Sequence, residues 1–511
     1  MPINLRSVLI SDPVDESCGA LLSEYGVPVT TKYKLSKEEL VKELQNHDAL
    51  IVRSETKVTA DIISSTSNLR VIGRAGTGVD NIDLQAATRK GIVVLNTPGG
   101  NSVSACELTC AMISALARNL AQAAQSMKEG RWDRKLYSGF ELFGKTLAVL
   151  GMGRIGREVA QRMKSFGMNI VAFDPMLKNE AAESLGFKKV SLEEAWEVAD
   201  YITVHTPLIP QTRNLINTTS LGKCKKGVKV INVARGGIVD EEALLDALKS
   251  GQCGGAALDV FTEEPPKSSV LLELIQHPKV IATPHLGAST AEAQQRVAVE
   301  IAQQFLALSG KTNEYTVTGI VNAPVLAAAM TEDNAPWIEL SKKLGRLAAR
   351  FVQGKLNTTI QSQTVGPDMD NKKFIHTAVL VGILTGHTKN GLNLINAPTL
   401  AQDIGVDLKD SHIPGDQKAV VVTVGQHQVK GTIRDNQPLL LSVDDALFPN
   451  GIALADHISL FHANSVQDLA NVVNAFSSKG INIHNLSANG SWLVIQTDQE
   501  VSVCVDGIES F

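Results

Sequence analysis

A glycine-rich turn between two short apolar segments is the feature that most constrains the fold of this chain. The segment Thr146–Leu150 predicts a strand, and Gly151, Gly153 and Gly156 follow it in the spacing GxGxxG. A helical stretch and a second apolar strand then lead to Asp174. In this context the spacing is specific for a dinucleotide-binding βαβ unit, with glycines for the tight turn, the approach of a pyrophosphate and the packing of the helix. Because a carboxylate at Asp174 would accept from ribose hydroxyls and repel a 2′-phosphate, the pattern predicts NAD rather than NADP.

Length and composition are those of an ordinary multidomain protein. The 511 residues suffice for roughly three or four domains. Lysine and arginine total 48 against 53 acidic residues, and the net charge of −5 argues against a nucleic-acid partner. No apolar run reaches the length of a membrane span and the first residues lack a secretory signal pattern, so we expect a cytoplasmic protein without a membrane partner. The six scattered cysteines are typical of reduced thiols.

Strand-like and helical segments alternate on both sides of the glycine-rich turn. Before it, four β-rich runs predict a parallel α/β layer, at 8–10, 49–52, 71–73 and 92–95. Because the glycine turn comes only later, we expect this layer to be a substrate domain. Six further strands suit a complete dinucleotide-binding fold, at 147–150, 169–173, 201–204, 228–233, 255–259 and 280–283. A long helix at 291–308 is expected to return to the first domain.

The pattern changes after residue 319, which predicts two smaller domains. The clearest strand there is 418–424. The final segment has an order that resembles a small ligand-sensing module, with strand 458–462, helix 466–476, strand 481–483 and strand 492–496. We therefore predict four domains, namely a discontinuous substrate-binding domain (1–100 and 288–318), an NAD-binding domain (101–287), an intervening α+β domain (319–452) and a C-terminal regulatory domain (453–511).

Three polar residues near the ends of predicted strands form the candidate catalytic set. Arg235 follows the strand at 228–233, Glu264 lies in a Glu-Glu-Pro-Pro segment, and His285 follows the strand at 280–283. In open α/β sheets the ligand lies beyond the carboxyl ends of the strands. The oxidation of a hydroxy acid needs a cation for the carboxylate, an imidazole for the hydroxyl proton and an acid to orient the imidazole, which these three residues would supply.

Each of these residues, taken alone, also has a purely structural interpretation. An arginine after a strand, a pair of glutamates or one histidine among 11 is usually a surface or structural group. His205, which ends the predicted strand at 201–204, is a rival base. No acidic residue stands beside His205 in a comparable motif, so His285 is the preferred base.

Several motifs together resemble those of the D-2-hydroxyacid dehydrogenase family. They are the segments 151–156, 233–240, 256–265 and 283–290. Within that family the long-form D-3-phosphoglycerate dehydrogenases are the most similar branch, because the segments 53–58, 74–81 and 100–102 are also present. The resemblance is dense over residues 6–320. It implies an α/β fold with a Rossmann-type dinucleotide-binding domain, a flavodoxin-like substrate domain and two smaller C-terminal α+β domains, the last of them ACT-like.

The resemblance also assigns roles to residues of this sequence. Arg235, Glu264 and His285 would be catalytic. The cofactor-binding residues would be Thr77, Gly151, Gly153, Arg154, Ile155, Gly156, Asp174, Thr206, Val233, Ala234, Asp259, Gly287 and Ala288. The substrate-binding residues would be Arg53, Arg74, Gly76 and Asn101. Arg53 and Arg74 both follow predicted strands, where two guanidinium groups could bind a dianionic phosphate, although surface arginines at strand ends are the alternative.

The implied activity is NAD-dependent oxidation of 3-phospho-D-glycerate to 3-phosphohydroxypyruvate, the entry step to serine synthesis. The chemistry at nicotinamide needs no metal. Two alternatives stay open. A related enzyme acting on glyoxylate, hydroxypyruvate or another unphosphorylated 2-hydroxy acid would not need both Arg53 and Arg74. A non-enzymatic corepressor that senses NADH would keep the same fold and the same catalytic triad.

Two further expectations concern assembly and regulation. The apolar helical segment 103–127 has more hydrophobic surface than one domain face needs, so we expect a homo-oligomer, a dimer or a tetramer, in which Arg131, Arg134 and Lys135 could reach a partner's phosphate site. In serine-regulated members of the family an H-x-N pattern binds the effector, and here His462 and Asn464 occupy it. The Pro-Gly that normally follows is replaced by Val466-Gln467, and polar residues at the end of an ordinary strand are the alternative interpretation.

Overall fold

The computed structural model describes residues 3–352, 358–388, 391–454, 457–463 and 465–497, together with the backbone of Glu509–Ser510. The chain divides into two compact units. Unit 1 consists of Met1–Asn96 and Ile301–Phe511, and unit 2 of Thr97–Glu300. Among the described residues no helix is long and apolar enough to cross a bilayer.

Unit 1 begins with a five-stranded parallel sheet in the order β2-β1-β3-β4-β5. Its strands are β1 (Val8–Ile10), β2 (Val29–Thr31), β3 (Ala49–Val52), β4 (Val71–Arg74) and β5 (Val93–Leu95). The intervening helices are α1 (Ser17–Glu24), α2 (Lys37–Leu44), α3 (Ala60–Ser65) and α4 (Leu84–Arg89). This is the flavodoxin-like strand order, so the predicted fold class is confirmed. The sequence analysis missed β2, a short edge strand whose residues are only half-buried or exposed.

Side-chain caps set where the helices of this sheet begin. Ser36 accepts from the backbone N–H of Glu39, whose carboxylate in turn accepts from Ser36, so α2 starts with a capping box. Asp83 caps α4 by accepting from the N–H of Ala86. Both polar residues therefore stand just outside their helices.

Unit 2 opens with two helices and continues as a parallel α/β sheet. Helices α5 (Ser102–Ala117) and α6 (Leu120–Lys128) are separated at Asn119, which adopts φ of 49°. The predicted continuous helix is therefore wrong at this point. Cys106, Met112 and Ile113 of α5 are buried in the core of unit 2, so α5 has less free apolar surface than expected.

The sheet of unit 2 has seven parallel strands in the order β12-β11-β10-β9-β6-β7-β8. They are β6 (Thr146–Leu150), β7 (Asn169–Phe173), β8 (Lys188–Lys189), β9 (Tyr201–Val204), β10 (Val228–Asn232), β11 (Cys253–Leu258) and β12 (Val280–Ala282). The helices between them are α7 (Arg154–Ser165), α8 (Asn179–Ser184), α9 (Leu192–Val198), α10 (Thr218–Lys223), α11 (Glu241–Ser250) and α12 (Ser269–Gln276). The six predicted strands are present, and the seventh, β8, escaped notice because two lysines carry no strand pattern.

Both faces of this sheet are covered. Leu147 and Val149 belong to one apolar cluster, while Ala148 and Leu150 belong to another. Successive side chains of a strand point to opposite faces, so this division places helices on each side. Such a sheet leaves its strand ends as the exposed places for chemistry.

The predicted long helix α13 (Ala291–Leu308) contains the boundary between the two units. Its carboxyl-terminal half packs in unit 1, where a Cβ on Gly73 of β4 would lie 2.4 Å from the ring of Phe305. The N–H of Ile3 also donates to the carbonyl of Leu308 over 2.8 Å. The helix thus returns to the first sheet, as expected.

The next part of unit 1 is a six-stranded mixed sheet with the order β14-β13-β15-β16-β17-β18. Its strands are β13 (Thr359–Val365), β14 (Asp407–Ile413), β15 (Ala419–Val424), β16 (His427–Arg434), β17 (Gln437–Val443) and β18 (Ala446–Ala453). The helices are α14 (Pro324–Ala329), α15 (Ala335–Ala349), α16 (Phe374–Leu384) and α17 (Ala397–Asp403), with a 3₁₀ turn at Glu332–Asn334. Helices α15 and α16 cross closely at glycines, since a Cβ on Gly345 would lie 2.3 Å from the carbonyl oxygen of Val379.

In its described residues, the last module has a four-stranded antiparallel sheet, ordered β20-β21-β19-β22, and one helix. Its elements are β19 (Ile458–His462), α18 (Val466–Ser478), β20 (Ile483–Asn489), β21 (Trp492–Thr497) and β22 (Glu509–Ser510). The predicted strand 481–483 is wrong in its extent. Ile481 instead closes the end of α18, where its N–H donates to the carbonyl of Phe476 and its side chain joins the apolar core.

Candidate active site

The glycine loop after β6 has the shape that its sequence predicts. Gly151 adopts φ of 99°, and a Cβ there would lie 2.6 Å from the carbonyl oxygen of His205. A Cβ on Gly156 would lie 2.0 Å from the carbonyl oxygen of Gly151, so this position must be glycine for α7 to pack. At Gly153, by contrast, a Cβ would meet nothing within 4 Å. Gly153 therefore borders open space at the N-terminus of a helix, where a phosphate is stabilised.

Asp174 stands directly after β7, beside this loop. One carboxylate oxygen accepts from the N–H of Met152 over 2.8 Å, and the other accepts from the N–H of Met176 over 2.8 Å. These two bonds fix the carboxylate and leave lone pairs on both oxygens for ribose hydroxyls.

The loop after β9 adds a group suited to a dinucleotide. The hydroxyl oxygen of Thr206 is buried and has no hydrogen-bond partner among the described residues. A buried hydroxyl without a partner costs free energy, which a ligand can recover. Together with the open space at Gly153 and the fixed carboxylate of Asp174, this hydroxyl fits NAD.

The other predicted cofactor residues lie along the same strand ends, with one exception. Arg154 begins α7, where its guanidinium donates to the carbonyl of Pro98 over 3.1 Å, and Ile155 packs against the core. Val233 and Ala234 follow β10, whereas Gly287 and Ala288 follow β12. Thr77 instead lies after β4 in unit 1, and its carbonyl accepts from the side chain of Asn96 over 2.6 Å.

The structure brings Glu264 and His285 together. The Oε2 atom of Glu264 lies 2.8 Å from Nδ1 of His285, and the His285 side chain is 47% exposed. The Oε1 atom of Glu264 accepts from the N–H of Phe261 over 3.0 Å. Burial alone would raise the pKa of Glu264, but the hydrogen bonds from His285 and Phe261, with the charges of His285 and Arg235, lower it below its ordinary value. Glu264 is therefore ionised at neutral pH and orients the imidazole.

Asp259, predicted to contact NAD, is buried beneath the loop that carries His285. Its carboxylate accepts from the hydroxyl of Thr283, from the N–H of Leu286 over 2.7 Å and from the N–H of Gly287 over 2.8 Å. His285 itself adopts φ of 54°, and its N–H donates to the carbonyl of Asp259 over 2.9 Å. These hydrogen bonds to Asp259 hold the backbone of the loop that carries His285.

Arg235 follows β10 in a turn held by Asn232. The side chain of Asn232 donates to the carbonyl of Arg235 over 2.8 Å and accepts from the N–H of Ala234 over 3.0 Å. A Cβ on Gly236 would lie 1.9 Å from the carbonyl oxygen of Phe261, so this turn approaches the Glu264 loop directly. The three catalytic candidates thus share the carboxyl edge of one sheet.

Sequence reasoning missed two supporting residues, Asn232 and Glu241. The carboxylate of Glu241 accepts from the N–H of Thr262 over 2.8 Å and from its hydroxyl, which holds the segment that leads to Glu264. Burial raises the pKa of Glu241, against the opposing effect of these hydrogen bonds. The available signal was weak, namely a glutamate in the first turn of α11 and an asparagine ending an apolar strand.

His205, the alternative base, is held by hydrogen bonds within unit 2. Its Nε2 atom lies 3.0 Å from the hydroxyl of Thr203, and its N–H donates to the carbonyl of Leu150 over 2.7 Å. Burial lowers the pKa of His205 to about 4, so the ring is neutral at pH 7. A base so weak takes up a substrate proton poorly.

The predicted substrate residues are divided between the units. Arg53 follows β3 and Arg74 ends the adjacent strand β4, in which Arg74 pairs with Val52. A Cβ on Gly76 would lie 2.6 Å from the guanidinium of Arg74. Asn101 belongs to unit 2, where it occupies the N-cap position of α5 without a side-chain capping bond and its carbonyl accepts from the N–H of Ala105.

The candidate effector site is only partly described. His462 ends β19 and packs edge-on against Trp492, with ring centroids 5.2 Å apart. Asn464 lies outside the described residues.

Comparisons with known proteins match two parts of the chain to family models. Residues 110–287 match the NAD-binding domain of the D-isomer-specific 2-hydroxyacid dehydrogenases. Residues 334–443 match the D-3-phosphoglycerate dehydrogenase intervening domain. These matches place a dinucleotide domain and a specialised accessory domain in one chain.

Relatives that match most of the chain belong to the same family as the two domain matches. The chain is similar to D-3-phosphoglycerate dehydrogenase of Homo sapiens, at 50% identity over 89% of this chain and 86% of that protein. It is 41% identical to D-3-phosphoglycerate dehydrogenase of Methanocaldococcus jannaschii, over 88% of this chain and 87% of that protein. A solved D-lactate dehydrogenase from Aquifex aeolicus, in complex with NAD and lactic acid, matches with a TM-score of 0.54 at 28% identity, covering 62% of this chain and all of its own. The chain therefore belongs to the D-3-phosphoglycerate dehydrogenase family, the long-form branch of the NAD-binding D-2-hydroxyacid dehydrogenases.

Proposed function

We propose that this chain oxidises the C2 hydroxyl of 3-phospho-D-glycerate to 3-phosphohydroxypyruvate, the first step of L-serine biosynthesis. The observation that carries the proposal is the 2.8 Å contact between Glu264 and His285 at the sheet edge that also holds the glycine loop. The extended similarity to D-3-phosphoglycerate dehydrogenases, including the intervening domain, supports the choice of substrate.

His285 acts as the general base. Because Glu264 is ionised, Nδ1 of His285 carries the proton that points to Glu264, and Nε2 keeps a lone pair for the C2 hydroxyl proton. As Nε2 takes up that proton, the carboxylate of Glu264 stabilises the resulting imidazolium. The two residues therefore work as one unit, in which Glu264 fixes the tautomer and the orientation of the ring.

Arg235 binds the substrate carboxylate and polarises the C2 oxygen. A planar guanidinium suits this role because it donates two parallel hydrogen bonds to a carboxylate. NAD, when bound, supplies the acceptor for the C2 hydride. Gly153, Asp174 and Thr206 would hold it, together with the remaining predicted cofactor residues at the strand ends of unit 2 and Thr77.

In unit 1, Arg53 and Arg74 bind the phosphate, with Gly76 allowing the approach of the Arg74 guanidinium to the backbone. Asn101 is assigned to the same substrate. Two guanidinium groups on neighbouring strands would match the two negative charges of a phosphate, which an unphosphorylated substrate lacks.

A spectrophotometric assay of NADH formation across phosphorylated and unphosphorylated 2-hydroxy acids tests the proposal. We expect 3-phospho-D-glycerate to give the highest kcat/KM. A preference for glycerate or lactate would identify a different dehydrogenase, and NADH binding without turnover of any hydroxy acid would favour a corepressor.

We also propose that the active form is a homo-oligomer. From the last turn of α6 onward, unit 2 exposes apolar side chains that a monomer would leave in water, namely Met127, Trp132, Leu136, Phe140 and Phe143. Arg131 is already paired with Glu129 and Asp133 in its own chain. Sedimentation of the parent and of a Trp132→Asp variant tests the assembly, and a fully active monomeric parent would refute it.

The remaining proposals concern domains, compartment and regulation. The four predicted domains are retained as functional modules, and the free thiols among the described cysteines suit a reducing compartment such as the cytoplasm. His462 and Asn464 are the proposed L-serine site. Serine inhibition that His462→Ala abolishes would support this assignment, and turnover unaffected by serine would dismiss it.

A further inference from the structure

A buried carboxylate on the segment after β1 binds the loop that carries Arg53. Asp12 lies just after β1 and is 1% exposed. Its carboxylate accepts from the N–H of Arg53 over 2.6 Å, from the N–H of Thr56 over 3.0 Å and from the hydroxyl of Thr56. The neighbouring residue, Pro13, accepts at its carbonyl from the Arg53 guanidinium over 3.3 Å. The segment after β1 therefore contacts both the backbone and the side chain of Arg53.

The same loop is held from its other side by Asn81. The amide nitrogen of Asn81 donates to the carbonyl of Arg53 over 2.8 Å and to the carbonyl of Thr56 over 2.7 Å. Asn81 lies in the loop that follows β4, the strand that ends with Arg74. Both the N–H and the C=O groups of Arg53 and Thr56 are therefore occupied by side chains from the two neighbouring strand ends.

We propose that Asp12 and Asn81 are positioning residues that together fix the phosphate-binding loop. This inference rests on the proposed phosphate role of Arg53. Hydrogen bonds to an ionised carboxylate are among the strongest that a loop can make, and a loop ordered in advance loses less conformational entropy when the ligand binds. The pair thus keeps the Arg53 loop in its ligand-binding form before the phosphate arrives.

The chain offers a matched control at the amino ends of the strands of the same sheet. Asp48 immediately precedes β3 and is 2% exposed. Its carboxylate accepts from the N–H of Arg6 over 2.9 Å and from the N–H of Ser7 over 3.0 Å. Asp48 therefore resembles Asp12 in burial and bonding but lies at the amino ends of the strands, away from Arg53.

The test compares Asp12→Asn, Asn81→Ala and Asp48→Asn in the full chain with NAD. For each variant, kcat and KM are measured with 3-phospho-D-glycerate and with D-glycerate, which lacks the phosphate. We expect Asp12→Asn and Asn81→Ala to lower the preference for the phosphorylated substrate roughly tenfold, through KM, because each substitution weakens or removes hydrogen bonds that hold the Arg53 loop. Asp48→Asn should lower the melting temperature and leave that preference unchanged.

A double-mutant cycle separates positioning from general destabilisation. If Asn81 acts through Arg53, Asn81→Ala should reduce the preference in the parent and have no further effect in an Arg53→Ala background. An Asn81→Ala effect of equal size in both backgrounds overturns the inference, as does an unchanged preference in the single variant. An unchanged preference in Arg53→Ala instead refutes the proposed phosphate role itself. Should Asp12→Asn not fold, the Asn81 cycle alone decides the question.

Discussion

In each of the two parallel sheets, a buried aspartate after one strand binds the loop that follows the adjacent strand. In unit 1, Asp12 follows β1 and binds the loop that follows the adjacent strand, β3. In unit 2, Asp259 follows β11 and binds the loop that follows the adjacent strand, β12. Both carboxylates are buried, and both hold backbone N–H groups of a loop that presents one functional side chain.

The difference lies in what each loop presents. In unit 2 the loop carries His285, which has its own carboxylate partner in Glu264, so both members of the proposed proton-transfer pair belong to that unit. In unit 1 the loop carries Arg53, whose guanidinium donates to the carbonyl of Pro13. The comparison teaches that turnover and phosphate selectivity should respond separately to mutation, the first to unit 2 and the second to unit 1.

The largest effect is expected from His285→Ala. Removal of a positioned general base should lower kcat by about 10²–10⁴-fold with every hydroxy acid, because proton transfer is needed whether or not a phosphate is present. NADH affinity, measured by fluorescence titration, should stay near that of the parent. His205→Ala is the control. A greater loss of turnover in this variant than in His285→Ala would identify His205, and not His285, as the general base.

An intermediate effect is expected from substitutions of Arg53. Arg53→Ala should reduce kcat/KM for 3-phospho-D-glycerate by roughly 10–100-fold, which corresponds to about one hydrogen bond to a charged group. Arg53→Lys should recover only part of this loss, because an ammonium keeps the charge without the bidentate geometry. Steady-state kinetics with D-glycerate provides the control. If kcat/KM for D-glycerate falls as steeply, turnover and phosphate selectivity do not respond separately to the two sheets.

A smaller effect is expected at Asp174. Asp174→Ala removes the acceptor for the ribose hydroxyls and the repulsion of a 2′-phosphate, so kcat/KM should fall about tenfold with NAD and rise with NADP. Measurement of both cofactors at saturating 3-phospho-D-glycerate gives the ratio directly. An unchanged ratio would show that Asp174 acts only on the backbone of Met152 and Met176.

How much the sequence could predict depended on how far apart the interacting residues lie along the chain. The glycine loop and six of the seven strands of unit 2 form local patterns and were predicted, whereas the two-lysine strand β8 has no such pattern and was missed. The adjacency of Glu264 and His285 needed the rule that functional groups gather at the carboxyl ends of parallel strands. The bonds from Asp12 and Asn81 to the Arg53 loop join distant segments, and neither residue belongs to a pattern that identifies its partner. The break between α5 and α6 was also missed, because the left-handed conformation of Asn119 interrupts an otherwise helical composition.

The last prediction concerns stability rather than turnover, namely its pH dependence in unit 2. Burial lowers the pKa of His205 to about 4 from an ordinary value of 6.5, so between these pH values the unfolded chain binds a proton that the folded chain does not. The free energy of unfolding should therefore fall as the pH drops from 6.5 towards 4, with a contribution of at most about 1.4 kcal/mol per pH unit from this residue.

His205→Gln removes the titrating group, so urea unfolding at pH 7 and pH 5 should show a weaker pH dependence in this variant than in the parent. The Glu264 contribution has a different window, because its lowered pKa means that stability present at neutral pH is lost only below the ordinary range of a glutamate. The two histidines at this sheet edge are thus distinguishable by experiment, one through turnover and the other through acid stability. Equal pH dependence in parent and variant would mean that His205 takes up its proton as readily in the folded state as in the unfolded chain, which would restore it as a candidate base.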